Sequence, residues 1–164
     1  MKKLFVVCLV LLAAQFAYAQ NAEVSYSVHM AEIGWGGASM DGATAGTTGQ
    51  GRQIEAMRAR VTSSIPGGIR YNVHASQVGW MGWSSDNEIA GTTGQGRQIE
   101  AIRVQLTGQL ANRFDVQYRV HMSGAGWSGW SINGEDAGTT GQARQLEAIE
   151  IRLVRASGSG AADK

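Results

Sequence analysis

Apolar and polar residues alternate one for one along three stretches of the chain: Val24, Tyr26, Val28 and Met30; Ile69, Tyr71 and Val73; Val116, Tyr118, Val120 and Met122. A period of two sends successive side chains to opposite faces of an extended backbone, so each stretch predicts a strand with one buried face. A second alternating run follows each of them, Met57, Ala59 and Val61, then Ile102, Val104 and Leu106, then Ile149, Ile151 and Leu153, interleaved with arginine, glutamine or glutamate. These predict further strands with one wet face. Between each pair lie Asp41-Gly42, Asp86-Asn87 and Asn133-Gly134, dipeptides that tolerate positive φ. They predict a short hairpin between a Trp-bearing segment and an Ala-Gly-Thr-Thr-Gly segment. Residues 65–68 and 108–112 read as loops between units.

The alternation is part of a longer repeat. Tyr26-Ser27-Val28-His29 returns as Tyr71-Asn72-Val73-His74 and as Tyr118-Arg119-Val120-His121, and Trp35, Trp80 and Trp127 follow each histidine by six residues. Ala45-Gly46-Thr47-Thr48-Gly49-Gln50 recurs at 90–95 and 137–142. Three units, about 24–62, 69–107 and 116–155, with four strands each, predict an all-β, threefold pseudosymmetric fold of about twelve short strands. A β-prism-like arrangement and a β-trefoil both suit that count, since one unit alone cannot bury its apolar face. The long opening and closing strands favour the prism, with each closing strand pairing to the opening strand of a neighbouring unit.

The ends of the chain differ from this single domain of residues 20–155. Lys2 and Lys3, an apolar run from Leu4 to Ala14, and Ala17-Tyr18-Ala19 read as a secretory signal peptide over residues 1–19. The small polar tail, 156–164, reads as flexible. Cys8 falls within the predicted leader, so the processed chain has no thiol for disulfides, catalysis or metal. Composition narrows the classes further: 23 glycines against one proline, with 16% charged residues, describe an ordered, turn-rich fold. Processing leaves twelve basic against thirteen acidic residues, the arginines scattered singly, which excludes the basic footprint of a nucleic-acid binder. The leader's apolar run is too short to span a bilayer, so membrane insertion is not expected.

Taken together, Tyr-x-Val-His, Gly-Trp, a second Trp, Ala-Gly-Thr-Thr-Gly-Gln and Arg-x-Ile/Leu-Glu-Ala, three times over residues 24–155, resemble the clostridial hydrophobic W (ChW) family. The resemblance implies a secreted or surface bacterial protein with repeats in threes, and binding or adhesion instead of catalysis. The first unit departs from the pattern, with Ala38 where the others have Trp83 and Trp130. If that indole touches ligand, the first site is the weaker one.

Five tryptophans, Trp35, Trp80, Trp83, Trp127 and Trp130, fall beside glycines that leave their rings uncovered, which suits stacking against a sugar face. Trp35, Trp80 and Trp127, each after a glycine, read first as core residues and otherwise as ligand contacts; Trp83 and Trp130 are the stronger ligand candidates. Asp41, Asp86 and Asn133 can accept hydroxyl hydrogen bonds and are also common turn formers. His29, His74 and His121 fall on the face opposite the tyrosines, as surface residues or sugar contacts; convergence on a threefold axis as a metal site is the sharper alternative. Gln50, Gln95 and Gln142 add amides. Arg52, Arg97 and Arg144 precede Glu55, Glu100 and Glu147 by three residues, implying a buried glutamate paired to arginine or backbone. The Gly-Thr-Thr-Gly-Gln loops lack the Lys-Ser or Lys-Thr of a phosphate cradle.

Every candidate group occurs in three equivalent settings, whereas acid–base catalysis needs two groups in unlike ones. The expected function is therefore a secreted lectin-like adhesin, not an enzyme. It would carry up to three weak carbohydrate sites acting by avidity, with no cofactor. The alternative is a protein-interaction module of a cell-surface assembly, with the indoles as hot spots.

Overall fold

A computed structural model describes residues 22–157; the predicted leader and all but the first two residues of the tail lie outside the described residues. The first unit comprises β1 (Ala22–Met30), β2 (Gly34–Trp35), β3 (Ser39–Met40), β4 (Ala45–Gly46) and β5 (Ile54–Ser63). The second has β6 (Ile69–Ala75), β7 (Gly79–Ser85), β8 (Ala90–Gly91) and β9 (Ile99–Leu106). After a single 3-10 turn, Gly108–Asn112, come β10 (Phe114–Met122), β11 (Gly126–Trp127), β12 (Ser131–Ile132), β13 (Ala137–Gly138) and β14 (Leu146–Arg155).

The count is fourteen strands among the described residues, where twelve were expected. In each unit one extra residue is inserted between the Trp35, Trp80 or Trp127 rung and the following rungs on the opening strand. Such a bulge interrupts pairing. In the second unit pairing resumes at once, at Trp83 opposite Asn72, and β7 stays whole. In the first and third it resumes one residue later, at Ser39 and Ser131, and the segment counts as two strands.

The strands form three antiparallel sheets, one per unit, each open. A trefoil rests on a closed barrel, so the prism-like alternative is the one found. Two expectations about pairing are corrected. Each opening strand pairs with the closing strand of its own unit, as β1 does with β5 from Ala22–Ser63 to Met30–Ile54. The long hairpin is local because its two apolar faces already match in register. The Ala-Gly segment, in turn, does not join the Trp segment in a hairpin. It crosses to the sheet of the preceding unit: β8 pairs with β5, β13 with β9, and β4 with β14. The last of these joins the first unit to the third and closes the ring.

The inward faces of the three sheets share one core, in which Tyr26, Tyr71 and Tyr118 are the largest buried side chains. Each hydroxyl donates to a carbonyl in its own unit's turn, those of Ala43, Glu88 and Glu135. Ile65 and Leu110, from the two inter-unit connections, are buried in the same core.

The crossing strand needs glycine. Gly46, Gly91 and Gly138 have φ of 104° to 109°. A Cβ on Gly91 would lie 2.8 Å from Ala56 Cα and closer still to Glu55 O. Gly91→Ala should therefore destabilise the fold by about 3 kcal/mol or more, through left-handed strain and a broken ladder together. By contrast Ala143, at φ 52°, stands where the other units have Gly51 and Gly96 in open space, so Ala143→Gly should stabilise by about 1 kcal/mol. Thermal melts of the two variants read opposite signs.

Burial raises the tyrosine hydroxyls, those of Tyr26 and Tyr118 to about 12. In the unfolded chain they ionise near their ordinary value of 10. Between pH 10 and 12 the unfolded state thus holds fewer protons than the folded one, and stability falls as pH rises. The expected slope is about 1.4 kcal/mol per pH unit for each of Tyr26 and Tyr118, and Tyr26→Phe removes one share of it, as urea titrations across that range would read.

Candidate functional site

The site is set by a second bulge, on the closing strand. His29 pairs with Ala56 and Met30 with Ile54, so Glu55 is the extra residue. Glu100 and Glu147 occupy the same bulge opposite His74–Ala75 and His121–Met122. A bulge re-aims the side chain it carries. Here it points the carboxylate along the seam, toward the glycine loop of the next unit, and all three glutamates are buried.

At the seam between the first and second units, Thr92 N donates to Glu55 O at 2.9 Å and Gly94 N donates to Glu55 Oε2 at 3.2 Å. Gln53 Nε2 donates to Glu55 Oε1 at 3.3 Å. The ring-closing seam repeats this, Thr47 N on Glu147 O at 2.9 Å and Gly49 N on Glu147 Oε2 at 3.1 Å. At the middle seam Thr139 N donates to Glu100 O at 3.0 Å and Gln98 Nε2 to Glu100 Oε1 at 3.2 Å. The histidine of the same unit completes each group: Nδ1 of His29, His74 and His121 lies 3.3, 3.2 and 3.1 Å from the glutamate Oε2. Those nitrogens do not aim along a hydrogen bond, so the contact is a close approach and not a directed bond.

The expected Arg–Glu pairing is corrected accordingly. Arg52, Arg97 and Arg144 form no ion pair with the following glutamates; the backbone alternative is the one realised, with the donors in a different unit. The carboxylates' lone pairs are taken by local amides, which leaves the arginines free to face solvent. Arg52 and Arg144 are exposed and Arg97 half-buried.

Concavities open over two seams. One, of about 450 Å³, is lined by His29, Arg52, Gln53 and Glu55 of the first unit and by Gly94 and Gly96 of the second. Its counterpart, of about 510 Å³, is lined by His74, Gln77, Gln98 and Glu100, with Gly141 and Ala143 of the third unit. Gln50, Gln95 and Gln142 are exposed on the glycine loops, Gln95 between two lining glycines.

The indoles lie elsewhere. None of the five is in the core, so the core reading of Trp35, Trp80 and Trp127 is overturned: they are half-buried on the outer faces of the sheets. Each meets its histidine edge-on, with centroids 5.4 to 5.6 Å apart. Nor are the rings uncovered, because the arginines of the outer face reach over them. Arg58 lies 4.6 Å from the Trp35 centroid, Arg103 4.0 Å from Trp80 and Arg70 4.6 Å from Trp83. Arg119 lies 4.8 Å from both Trp127 and Trp130, and Arg152 3.9 Å from Trp130. A planar cation over an indole face is attractive by about 0.5 to 2 kcal/mol. Trp83 remains the most open, 42% exposed.

The turn residues serve the backbone. Asp41, Asp86 and Asn133 adopt positive φ, and their Oδ1 atoms accept from Val24, Ile69 and Val116 N at 3.2, 3.0 and 3.0 Å, closing the opening strands. The histidines stand each on its own sheet's outer face, and no cluster of three metal-ligating side chains occurs among the described residues. Nor is any described helix long and apolar enough to cross a membrane.

The architecture is thus three copies of one seam, each joining the histidine and bulge glutamate of one unit to the glycine loop of the next. The family model for clostridial hydrophobic W matches at residues 29–63, 74–108 and 121–155, each match starting on the seam histidine. The chain belongs to the clostridial hydrophobic W family. Comparison with curated proteins and with solved structures returns no match. Within this ChW chain, the first tryptophan of each repeat is an outer-face residue held between histidine and arginine.

Removing the glutamate tests the seam. Glu55→Ala leaves Gly94 N and Gln53 without their acceptor and should cost about 2 to 4 kcal/mol. Hydrogen exchange at the Gly94 amide should accelerate well before that of the β1–β5 ladder.

Proposed function

We propose that this ChW protein is an exported, carbohydrate-binding adhesin whose ligands sit in the seam concavities, and that it binds without catalysing. The observation that carries the reading is the recurrence of one open, polar hollow, with imidazole, carboxylate, carboxamide and glycine backbone around it, at successive seams. A sugar hydroxyl both donates and accepts, and these planar groups offer partners for both at fixed angles. No large apolar side chain lines either hollow, which suits a hydroxylated ligand better than a lipid or a drug-like one. The leader-like sequence at residues 1–19 supports a place outside the cell.

Each hollow is shallow, so single-site affinity should be weak. Repeated sites around one ring, two or up to three, gain through effective concentration, by a factor of about 10² to 10⁴ on a surface bearing many copies of the sugar.

A second reading has its own support. Met81 and Trp83 on β7 and Ile89 in the following turn are 40%, 42% and 52% exposed, apolar surface of the kind that partner proteins cover. A glycan array separates the two. On the adhesin reading, the wild-type chain binds a set of glycans, and a chain carrying His29→Ala, His74→Ala and His121→Ala loses at least 100-fold while melting as a folded protein. Silence on the array, with a protein partner lost on Trp83→Ala, would favour the interaction module.

A further inference from the structure

The first unit lacks the second indole, and the groove this leaves is furnished differently from its counterparts. Two rungs of the outer ladder carry the guanidiniums that lie over the indoles in the other units. At one, Ser25 faces Arg60, Arg70 faces Gln105, and Gln117 faces Arg152. At the other, Ser27 faces Arg58, Asn72 faces Arg103, and Arg119 faces Glu150. The guanidinium changes strand from unit to unit but is always present.

In the second and third units those guanidiniums are satisfied. Arg70 donates to Gln105 at 2.9 and 2.6 Å and Arg152 to Gln117 at 3.0 and 2.7 Å, each guanidinium lying over a tryptophan ring. Arg103 pairs with Asp136 and Arg119 with Glu150. In the first unit Arg58 and Arg60 have only serine hydroxyls, Ser27 at 3.0 Å and Ser25 at 3.4 Å, each reached through Nε. Among the described residues neither has a carboxylate partner: Ile89 stands where the third unit supplies Asp136 to Arg103, and Arg60 meets Ser25 where its counterparts meet glutamine. Between them and Ala38 lies a groove of about 250 Å³, lined also by Ser25, Ser27 and Asn87.

We propose that this groove is a separate binding site for a carboxylate-bearing sugar unit, a uronate, held by the terminal amino groups of Arg58 and Arg60. Two forked cations side by side match a carboxylate's two oxygens, and Trp35 beneath Arg58 holds one fork in place. Asn87 supplies an amide for a ring hydroxyl. Ala38 leaves the space that the tryptophans of the other units fill, so the first unit exchanges an internal aromatic cap for an external acidic ligand. That the carboxylate is carried on a sugar rests on the carbohydrate reading above; the demand for an anion does not.

The test is calorimetric titration with oligogalacturonate and with its methyl ester, the same backbone without the charge. Oligogalacturonate should bind at least tenfold more tightly than the ester, and Arg58→Gln and Arg60→Gln should each weaken it about tenfold. Ala38→Trp, which installs the residue the other two units already accommodate, should abolish it. Equal binding of acid and ester, or unchanged affinity in Ala38→Trp or Arg60→Gln, overturns the proposal. So does binding of a polyglutamate peptide in the groove with oligogalacturonate silent. The triple seam-histidine chain keeps the two readings apart: it should bind oligogalacturonate as the wild type does. If neutral glycans fail on the array while uronate binding persists and depends on Ala38, the seam reading falls and this one stands.

Discussion

The constraint on which the ring depends is the burial of a glutamate at a strand bulge. A carboxylate removed from water is costly unless its oxygens are fully engaged, and a single unit cannot engage them. Glu55 obtains Gln53 locally but must reach Gly94 of the next unit for a backbone donor, while its own carbonyl takes Thr92. Each unit is thus incomplete until its successor is in place, and the third is completed by the first. Hydrophobic burial makes the common core favourable. The bulge glutamate decides how the units are arranged around it.

The same requirement places the functional groups. Because the bulge lies opposite the seam histidine, satisfying the carboxylate also brings imidazole, amide and glycine loop to one spot. On the outer face, the histidine edge and an arginine plane hold the indole. Core, seam and outer face are therefore coupled through one or two residues per unit. Recognition can vary at exposed positions such as Gln50 and Arg52 without disturbing them.

Much of this was legible in the sequence. The period of two at Val24, Tyr26 and Val28 marks a buried face because cross-strand packing rewards nothing else, and the threefold repeat implies three equivalent sheets. Ala45-Gly46 could not be placed, since a two-residue strand has no period and its pairing rests on backbone bonds to another unit. Glu55 shares parity with Met57 and Ala59, which suggests a core-facing carboxylate; the bulge breaks that parity and turns it to the seam. The clamped indoles also have a signal in the sequence: the exchange of arginine and glutamine across the rungs Arg70–Gln105 and Gln117–Arg152, which keeps a guanidinium over the ring from either strand.

That exchange gives the first unit its meaning. In a repeat whose backbone is fixed by seams, side chains on the outer face are free to drift, and drift alone would scatter charge at random. The second and third units do not show scatter: each guanidinium retains an acceptor and an aromatic partner even when its strand changes. In the first unit both arginines are retained, with serine hydroxyls in place of carboxylate or carboxamide acceptors and Ala38 in place of the second indole, leaving positive charge without an anionic partner around an open groove. Two like charges held close on one strand face repel, so the arrangement costs stability unless something negative occupies it. A threefold scaffold built from equivalent parts would in this way carry two kinds of site, the repeated seams and one exceptional groove.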